Sequence, residues 1–223
     1  KILNTSFNGA IAKKIPYSLN KKNRFFSVNS TKLHDENYDT LISLDDILLK
    51  GKHNLSNFIA SATAAKILKV KNKKIKKTME LFTGIKHRLQ FVKSIKGSSY
   101  FNDSKATNIS SVIAAINSFN APIILLLGGK NKDSDFRLLL PHTKRHVKHI
   151  VSFGEAGGEI ATAIGDAVRL DITSSLNQAV ASAHKIASPG DIILMSPGCA
   201  SFDEFKNFED RGEKFIKMVN ILK

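Results

Sequence analysis

"PIILLLGG", residues 122–129, is five aliphatic side chains entered through a proline and left through two glycines, and it reads as an apolar strand. Upstream of it, "RLQFVKSI" (88–95) and "SSYFN" (98–102) read as strands on either side of a "KG" turn, followed by a helix at "SSVIAAINSF" (110–119). Downstream, a helix is expected after "DSDFRLLL" (133–140), then a strand "HIVSFG" (149–154), a helix from "GGEIATAIG" (157–165) and a short strand "VRLD" (168–171). A helix "SLNQAVASAHKIA" (175–187), a strand "DIILMSPG" (191–198) and a long final helix from about Phe202 complete the series. Apolar strands alternating with helices imply a mostly parallel sheet covered on both faces. The fold class expected for residues 87–223 is therefore α/β, a Rossmann-like domain.

Residues 1–86 follow a different rhythm. A strand end at "ILN" (2–4), a short helix around "NGAIAKKI" (8–15), a strand at "RFFSVN" (24–29), a strand pair around "YDTLISLDDILLKG" (38–51) and an alanine-rich helix from "NLSNFIASATAAKIL" (54–68) are expected there. "ILN" resembles the end of a buried strand, so residue 1 is not expected to be the biological start. At 223 residues and 42% hydrophobic content the chain can bury a core as one large or two small domains. Cys199 is the single cysteine, so no intrachain disulfide can form. That fits a reducing compartment, and with no apolar run near the roughly 20 residues that span a bilayer, the cytoplasm is the expected location.

The formal charge of +15 comes mainly from scattered lysines, with one dense run "KVKNKKIKK" (69–77). Such a run reads as the solvated face of a helix. Charge alone favours either a nucleic acid or a small polyanion. In parallel α/β sheets, ligands collect at the carboxyl ends of the strands. Three polar stretches are expected there: "NDSKATN" (102–108), "GGKNKDSDF" (128–136) and "SPGCASFDEF" (196–205). Each also reads as a turn with a helix cap. Helix N-termini with Lys105 and Lys132 beside them suit carboxylates and phosphates, and an ionised Asp103 suits a sugar hydroxyl. Few aromatic residues lie in these stretches, which favours an acidic small molecule over a nucleic acid.

"GKHNLSNFIASATAA", "FTGIKHRLQFV", "YFNDSKATN", "LLLGGKNKDSDF" and "SPGCASFDEFKNFEDRGEKF", in that order and spacing, resemble the Mur ligase family of peptidoglycan synthesis. The resemblance covers residues 51–223, and more loosely "ILN" and "RFFSVN" before them, and is nearest the branch that adds D-glutamate. The branch that adds a diamino acid resembles "DNPR" at the position of the last motif, and no such tetrapeptide occurs here. The resemblance implies residues 1–86 as the carboxyl-terminal part of a central ATP-binding domain. It implies residues 87–223 as the Rossmann-like domain that brings in the amino acid.

The implied reaction uses ATP and Mg2+ to activate UDP-N-acetylmuramoyl-L-alanine as an acyl phosphate, which D-glutamate attacks. No nucleic acid, no membrane insertion and a monomer are expected. No G-x-x-x-x-G-K-[ST] loop occurs in this sequence, and the family's carbamylated lysine and metal ligands would lie upstream of "ILN". No metal ligand is therefore assigned here, His53 and His87 included, and the chain alone is expected to be inactive.

Carried over position by position, Asn54 and Asn57 face the adenine, Arg88 reaches the ATP phosphates when the domains close, and Asp103 holds the ribose. Lys105 lies near the reacting phosphate and is the catalytic candidate. Thr107 and Lys132 bind the α-carboxylate of D-glutamate; Ser201 and the backbone at Phe208 take its side-chain carboxylate. Capping remains the other reading of Asn54. Phe202, Phe205, Phe208, Phe215, Val219 and Leu222 recur at helical spacing and read mostly as core. Cys199 carries no sign of a nucleophile. A non-catalytic Rossmann-type binding module is the alternative from another class, and a basic nucleic-acid binder is favoured by charge only.

Overall fold

A computed structural model describes residues 25–29, 31–47 and 52–223, and the chain divides into two compact units, Lys1–Gly84 and Ile85–Lys223. The expected elements at "ILN" and "NGAIAKKI" lie outside the described residues.

In the first unit a three-stranded antiparallel sheet is built from β1 (Ser27–Val28), β2 (Lys32–His34) and β3 (Thr40–Ser43). Two helices come next, α1 (Lys52–Ile67) and α2 (Asn72–Leu81). Of the strand pair expected across residues 38–51, β3 is one strand and ends at Ser43, whose hydroxyl accepts from Asp45 N–H and starts a 3-10 turn, Leu44–Asp46; residues 48–51 lie outside the described residues. β3 pairs with β2, which its own short sequence did not announce. The lysine run lies along α2 from Lys73 to Lys77, with Lys69 and Lys71 before the helix. Ile75 and Met79, four apart, turn into the core, and Lys73, Lys74, Lys76 and Lys77 stay exposed.

The second unit is a six-stranded sheet in the order β4-β5-β9-β6-β7-β8. Its strands are β4 (Gln90–Ile95), β5 (Ser98–Asn102), β6 (Ile123–Gly128), β7 (Val147–Phe153), β8 (Leu170–Ile172) and β9 (Ile192–Gly198). β4 and β5 form an antiparallel hairpin, and every other pairing is parallel. All six residues of β6 are buried, as a strand covered on both faces requires. Ile123, Leu125 and Leu127 face α3 (Ile109–Ile116), α4 (Leu140–His146) and α5 (Gly157–Ile164). Ile124 and Leu126 face α6 (Leu176–Ile186) and α7 (Phe208–Ile221). Each such aliphatic side chain contributes about 1.5–3 kcal/mol by leaving water.

The last helix starts later than expected. Asn207 caps α7 by accepting from Asp210 N–H at 2.7 Å, and the Asp210 carboxylate in turn accepts from Lys206 N–H at 3.3 Å. The Asn207 cap sets the start at Phe208, with Asp210 tying back the residue before it, and leaves residues 201–206 as turns. Phe205, Phe215 and Val219 are core as expected, whereas Phe202 is 62% exposed.

Strand order sets which loops meet. The chain leaves β5, passes over on α3 and lays down β6; only much later does β9 fill the space between them. Loops far apart in sequence thereby end side by side at one edge of the sheet.

Candidate active site

β5 ends with Asn102, fully buried, whose amide donates to Gly212 C=O at 3.3 Å and whose Oδ1 accepts from Ser104 N–H at 3.1 Å. Asp103, 7% exposed, opens the loop that follows. Its Oδ2 accepts from Ser196 Oγ of β9 at 2.8 Å, and its Oδ1 accepts from Leu89 N–H at 3.1 Å. Lys105 N–H donates to His87 C=O at 3.0 Å, so two consecutive turns of this loop anchor the segment that leads into β4. Arg88 on that segment is exposed and acts on Asp103 through its charge.

His87 is buried with φ +64° and packs on α7 at Gly212, where a Cβ would run into its ring. Burial lowers its pKa, against the opposing pull of Glu213 and Glu209. Asn108 ends the loop by capping α3 through Ser111 N–H at 2.9 Å. Asn102, Asp103 and Ser104 thus spend their polar groups inside the protein and the exposed Asn108 spends its own on the helix cap, while Lys105 and Thr107 are exposed at the edge.

Backbone ties join the three loops. Gly198 N–H donates to Ala106 C=O at 2.8 Å, and Lys130 and Ala200 exchange hydrogen bonds at 2.9 and 3.0 Å. The loop after β6 carries Lys132, exposed, with Nζ 5.3 Å from the centroid of the Phe202 ring. Lys105 sits the same way over Phe208, 3.8 Å from its centroid. Ser201 is 2% exposed, and its carbonyl accepts from Phe205 N–H at 2.8 Å. The two exposed lysines therefore each rest on a phenylalanine of the segment beyond β9. Asn54 and Asn57 lie on α1 of the first unit, half-buried and exposed respectively. The helix begins at Lys52, which puts Asn54 in its first turn.

Sequence reasoning assigned no role to Arg211. It is fully buried and donates five hydrogen bonds, to Ser104 Oγ (3.0 Å) and Ser104 C=O (2.9 Å), to Cys199 C=O (3.1 Å from both Nη1 and Nη2) and to Ala200 C=O (3.3 Å). Burial brings its pKa down to about 10. One signal was available: Arg211 falls on the same stripe of α7 as Phe215 and Val219, so a charge stands on the face meant for the core. Cys199 is buried and its thiol is pushed up to about 12, which excludes a ready thiolate.

Burial holds the Asp103 carboxyl up at about 6, above its ordinary 3.8. Between these values the folded domain keeps a proton that the unfolded chain has released, so stability falls as pH rises from about 4 to 6 and is level above. Asparagine at 103 can still accept from Leu89 N–H and donate to Ser196 without burying a charge. We expect Asp103→Asn to be more stable than the parent by about 1–3 kcal/mol at pH 8 and to lose that advantage toward pH 4. Denaturant melts of both proteins at pH 4, 6 and 8 measure this; a constant difference across the range would refute it.

A family model described as Mur ligase, glutamate ligase domain, matches residues 87–199. The chain belongs to the Mur ligase family. The UDP-N-acetylmuramoylalanine--D-glutamate ligase of Bacillus cytotoxicus is 41% identical over 186 residues, 82% of this Mur ligase chain and 41% of the relative. The enzyme of the same name from Bacillus subtilis is 40% identical over 194 residues, 84% of this chain and 42% of the relative. The chain thus spans about two fifths of the length of these curated relatives.

Among solved structures, a UDP-N-acetylmuramate-alanine ligase from Thermotoga maritima superposes with a TM-score of 0.63 at 12% identity, over 90% of this chain and 46% of that one. A UDP-N-acetylmuramoylalanyl-D-glutamyl-2,6-diaminopimelate--D-alanyl-D-alanyl ligase from Acinetobacter baumannii gives 0.62 at 15%, over 88% and 44%. At these identities the two structures bear on the fold of the Mur ligase chain alone.

Proposed function

We propose that this chain is part of an ATP-dependent, amide-forming ligase that joins D-glutamate to UDP-N-acetylmuramoyl-L-alanine in the cytoplasm. Residues 1–86 are the carboxyl-terminal part of its ATP-binding domain and residues 87–223 the domain that receives the amino acid. ATP phosphorylates the L-alanine carboxylate, giving an acyl phosphate and ADP. The D-glutamate amine then attacks the carbonyl carbon, the bond to the phosphate oxygen breaks, and phosphate and one amine proton leave. Catalysis of such a sequence is mostly positioning and charge stabilisation, which suits an edge of lysines and backbone donors.

In this reading Asn54 and Asn57 face the adenine. Arg88 and Asp103 meet the nucleotide, and Lys105 lies at the transferred phosphate. Thr107 and Lys132 hold the α-carboxylate of D-glutamate, with Ser201 and the Phe208 backbone at the other carboxylate. Magnesium would neutralise the phosphates. Among the described residues no group of three His, Cys, Asp or Glu side chains could hold a metal ion, so they do not fit that ion and none is given the role. Among the described residues, too, no helix is long and apolar enough to cross a membrane.

The observation that carries this reading is the joining of the loops after β5, β6 and β9 into one polar edge, in a chain 41% identical to a curated D-glutamate ligase. The test is phosphate release by the full-length enzyme given ATP, magnesium, UDP-N-acetylmuramoyl-L-alanine and, in turn, D-glutamate, L-glutamate, L-alanine and a diamino acid. Release should require D-glutamate. Release that another amino acid drives equally well would sink the assignment, and binding of nucleotide without any release would favour a non-catalytic module.

A further inference from the structure

A guanidinium removed from water needs compensation, and a carboxylate usually supplies it. Arg211 makes no ion pair with any carboxylate among the described residues; Asp203 and Glu204 act on it only at longer range. Asp203 Oδ2 accepts from Glu155 N–H at 3.2 Å while its buried Oδ1 has no hydrogen-bond partner among the described residues, and Glu204 Oε2 accepts from Leu176 N–H at 3.0 Å; neither carboxylate reaches the guanidinium. Three carbonyls and the Ser104 hydroxyl are what Arg211 has, and they come from the two loops that flank the proposed amino-acid pocket. Thr107 lies three residues past Ser104, and Ser201 is the residue directly after Ala200. A third segment is drawn in as well. Ser104 Oγ accepts from Arg211 Nε and donates to Phe208 C=O at 2.8 Å, which fixes the start of α7 under the same edge.

We propose that Arg211 is the positioning residue of the amino-acid pocket: its guanidinium sets the spacing of the loops after β5 and β9 and holds beneath them a positive charge that the incoming dicarboxylate neutralises. The substrate in this statement rests on the proposed function; the positioning of the loops does not. The side chain has to be arginine because it serves four acceptors as a planar fork, where the lysine ammonium is a point donor at the end of a flexible stem. Alanine would leave Cys199 C=O and Ser104 C=O without the donors they now use.

The experiment compares the full-length ligase with its Arg211→Lys and Arg211→Ala variants by amide hydrogen exchange and by steady-state kinetics. Exchange in residues 103–107 and 198–203 should quicken about tenfold or more in Arg211→Ala and less in Arg211→Lys, with the rest of the sheet unchanged. The KM for D-glutamate should rise about tenfold or more while that for ATP stays within about twofold. Added guanidinium or methylguanidinium, which can enter the space left in Arg211→Ala, should restore part of the D-glutamate affinity but not that of the lysine variant.

Parent-like exchange in both loops of either folded variant overturns the proposal, as does an equal rise in KM for both substrates. If Arg211→Ala does not fold, the same comparisons on Arg211→Lys decide. A parent enzyme indifferent to D-glutamate would refute the proposed function, while the exchange result would still judge Arg211.

Discussion

Replacing Gly129 by alanine is expected to unfold the second unit or lower its melting temperature by about 10 °C or more. Gly129 has φ +123°, a conformation that a side chain resists, and a Cβ there would run into the Ala200 carbonyl oxygen. Arg211 Nη1 at 3.1 Å and the Cys199 Cβ at 3.2 Å close the other directions. The backbone cannot retreat. Gly129 N–H donates to Phe153 C=O at 3.0 Å, its carbonyl accepts from Ala156 N–H at 2.9 Å, and the next residue carries the Lys130–Ala200 bridge. Strain and overpacking together cost about 2–5 kcal/mol, a large part of a domain's ordinary stability. Gly158 is the control: nothing lies within 4 Å of a Cβ there, and it sits in α5, so alanine should be neutral or stabilising. Equal melting curves for the two variants would show that the contact between the β6 and β9 loops is soft.

Lys132→Ala and Ser201→Ala are each expected to raise the KM for D-glutamate ten- to a hundredfold in the full-length ligase and leave that for ATP nearly unchanged. A hydrogen bond to a charged group contributes about 1.5–3 kcal/mol, which corresponds to this range. Lys132 is exposed, so its loss should not disturb folding, and Ser201→Ala removes one oxygen from a site that the backbone already holds. Phe202 offers an internal check. Its ring lies under Lys132 at 5.3 Å, and at an exposed site such a contact is worth about 0.5–1 kcal/mol, so Phe202→Ala should raise the same KM only two- to fivefold. If Lys132→Ala weakened ATP as much as D-glutamate, Lys132 would not mark the amino-acid pocket.

Most of the second unit was legible because its strands are short apolar runs bounded by proline, glycine or polar turns, and that signal is local. The late start of α7 was not. The stretch from Phe202 to Phe208 has helical spacing of its own, and the cap that Asn207 places on Asp210 N–H, with Asp210 accepting from Lys206 N–H, keeps the helix from starting earlier. β2 was missed because three residues carry too little alternation to stand out from a turn. In "NDSKATN", the residue types announced a polar edge without saying which groups were available. Four of the seven, Asn102, Asp103, Ser104 and Asn108, turned out to be engaged within the fold.

The sequence by itself determined the alternating α/β order, the membership of the Mur ligase family and the polar composition of the three loops, since each depends on residue types and spacings along the chain. The tertiary structure alone decided that β9 enters between β5 and β6, that Asp103 meets a serine 93 positions away, and that Arg211 is buried against residues up to 107 positions away. Those outcomes depend on strand order and on the register of parallel pairing. Both are set by how two apolar faces of one sheet are covered at once, and no local period along the chain encodes that choice.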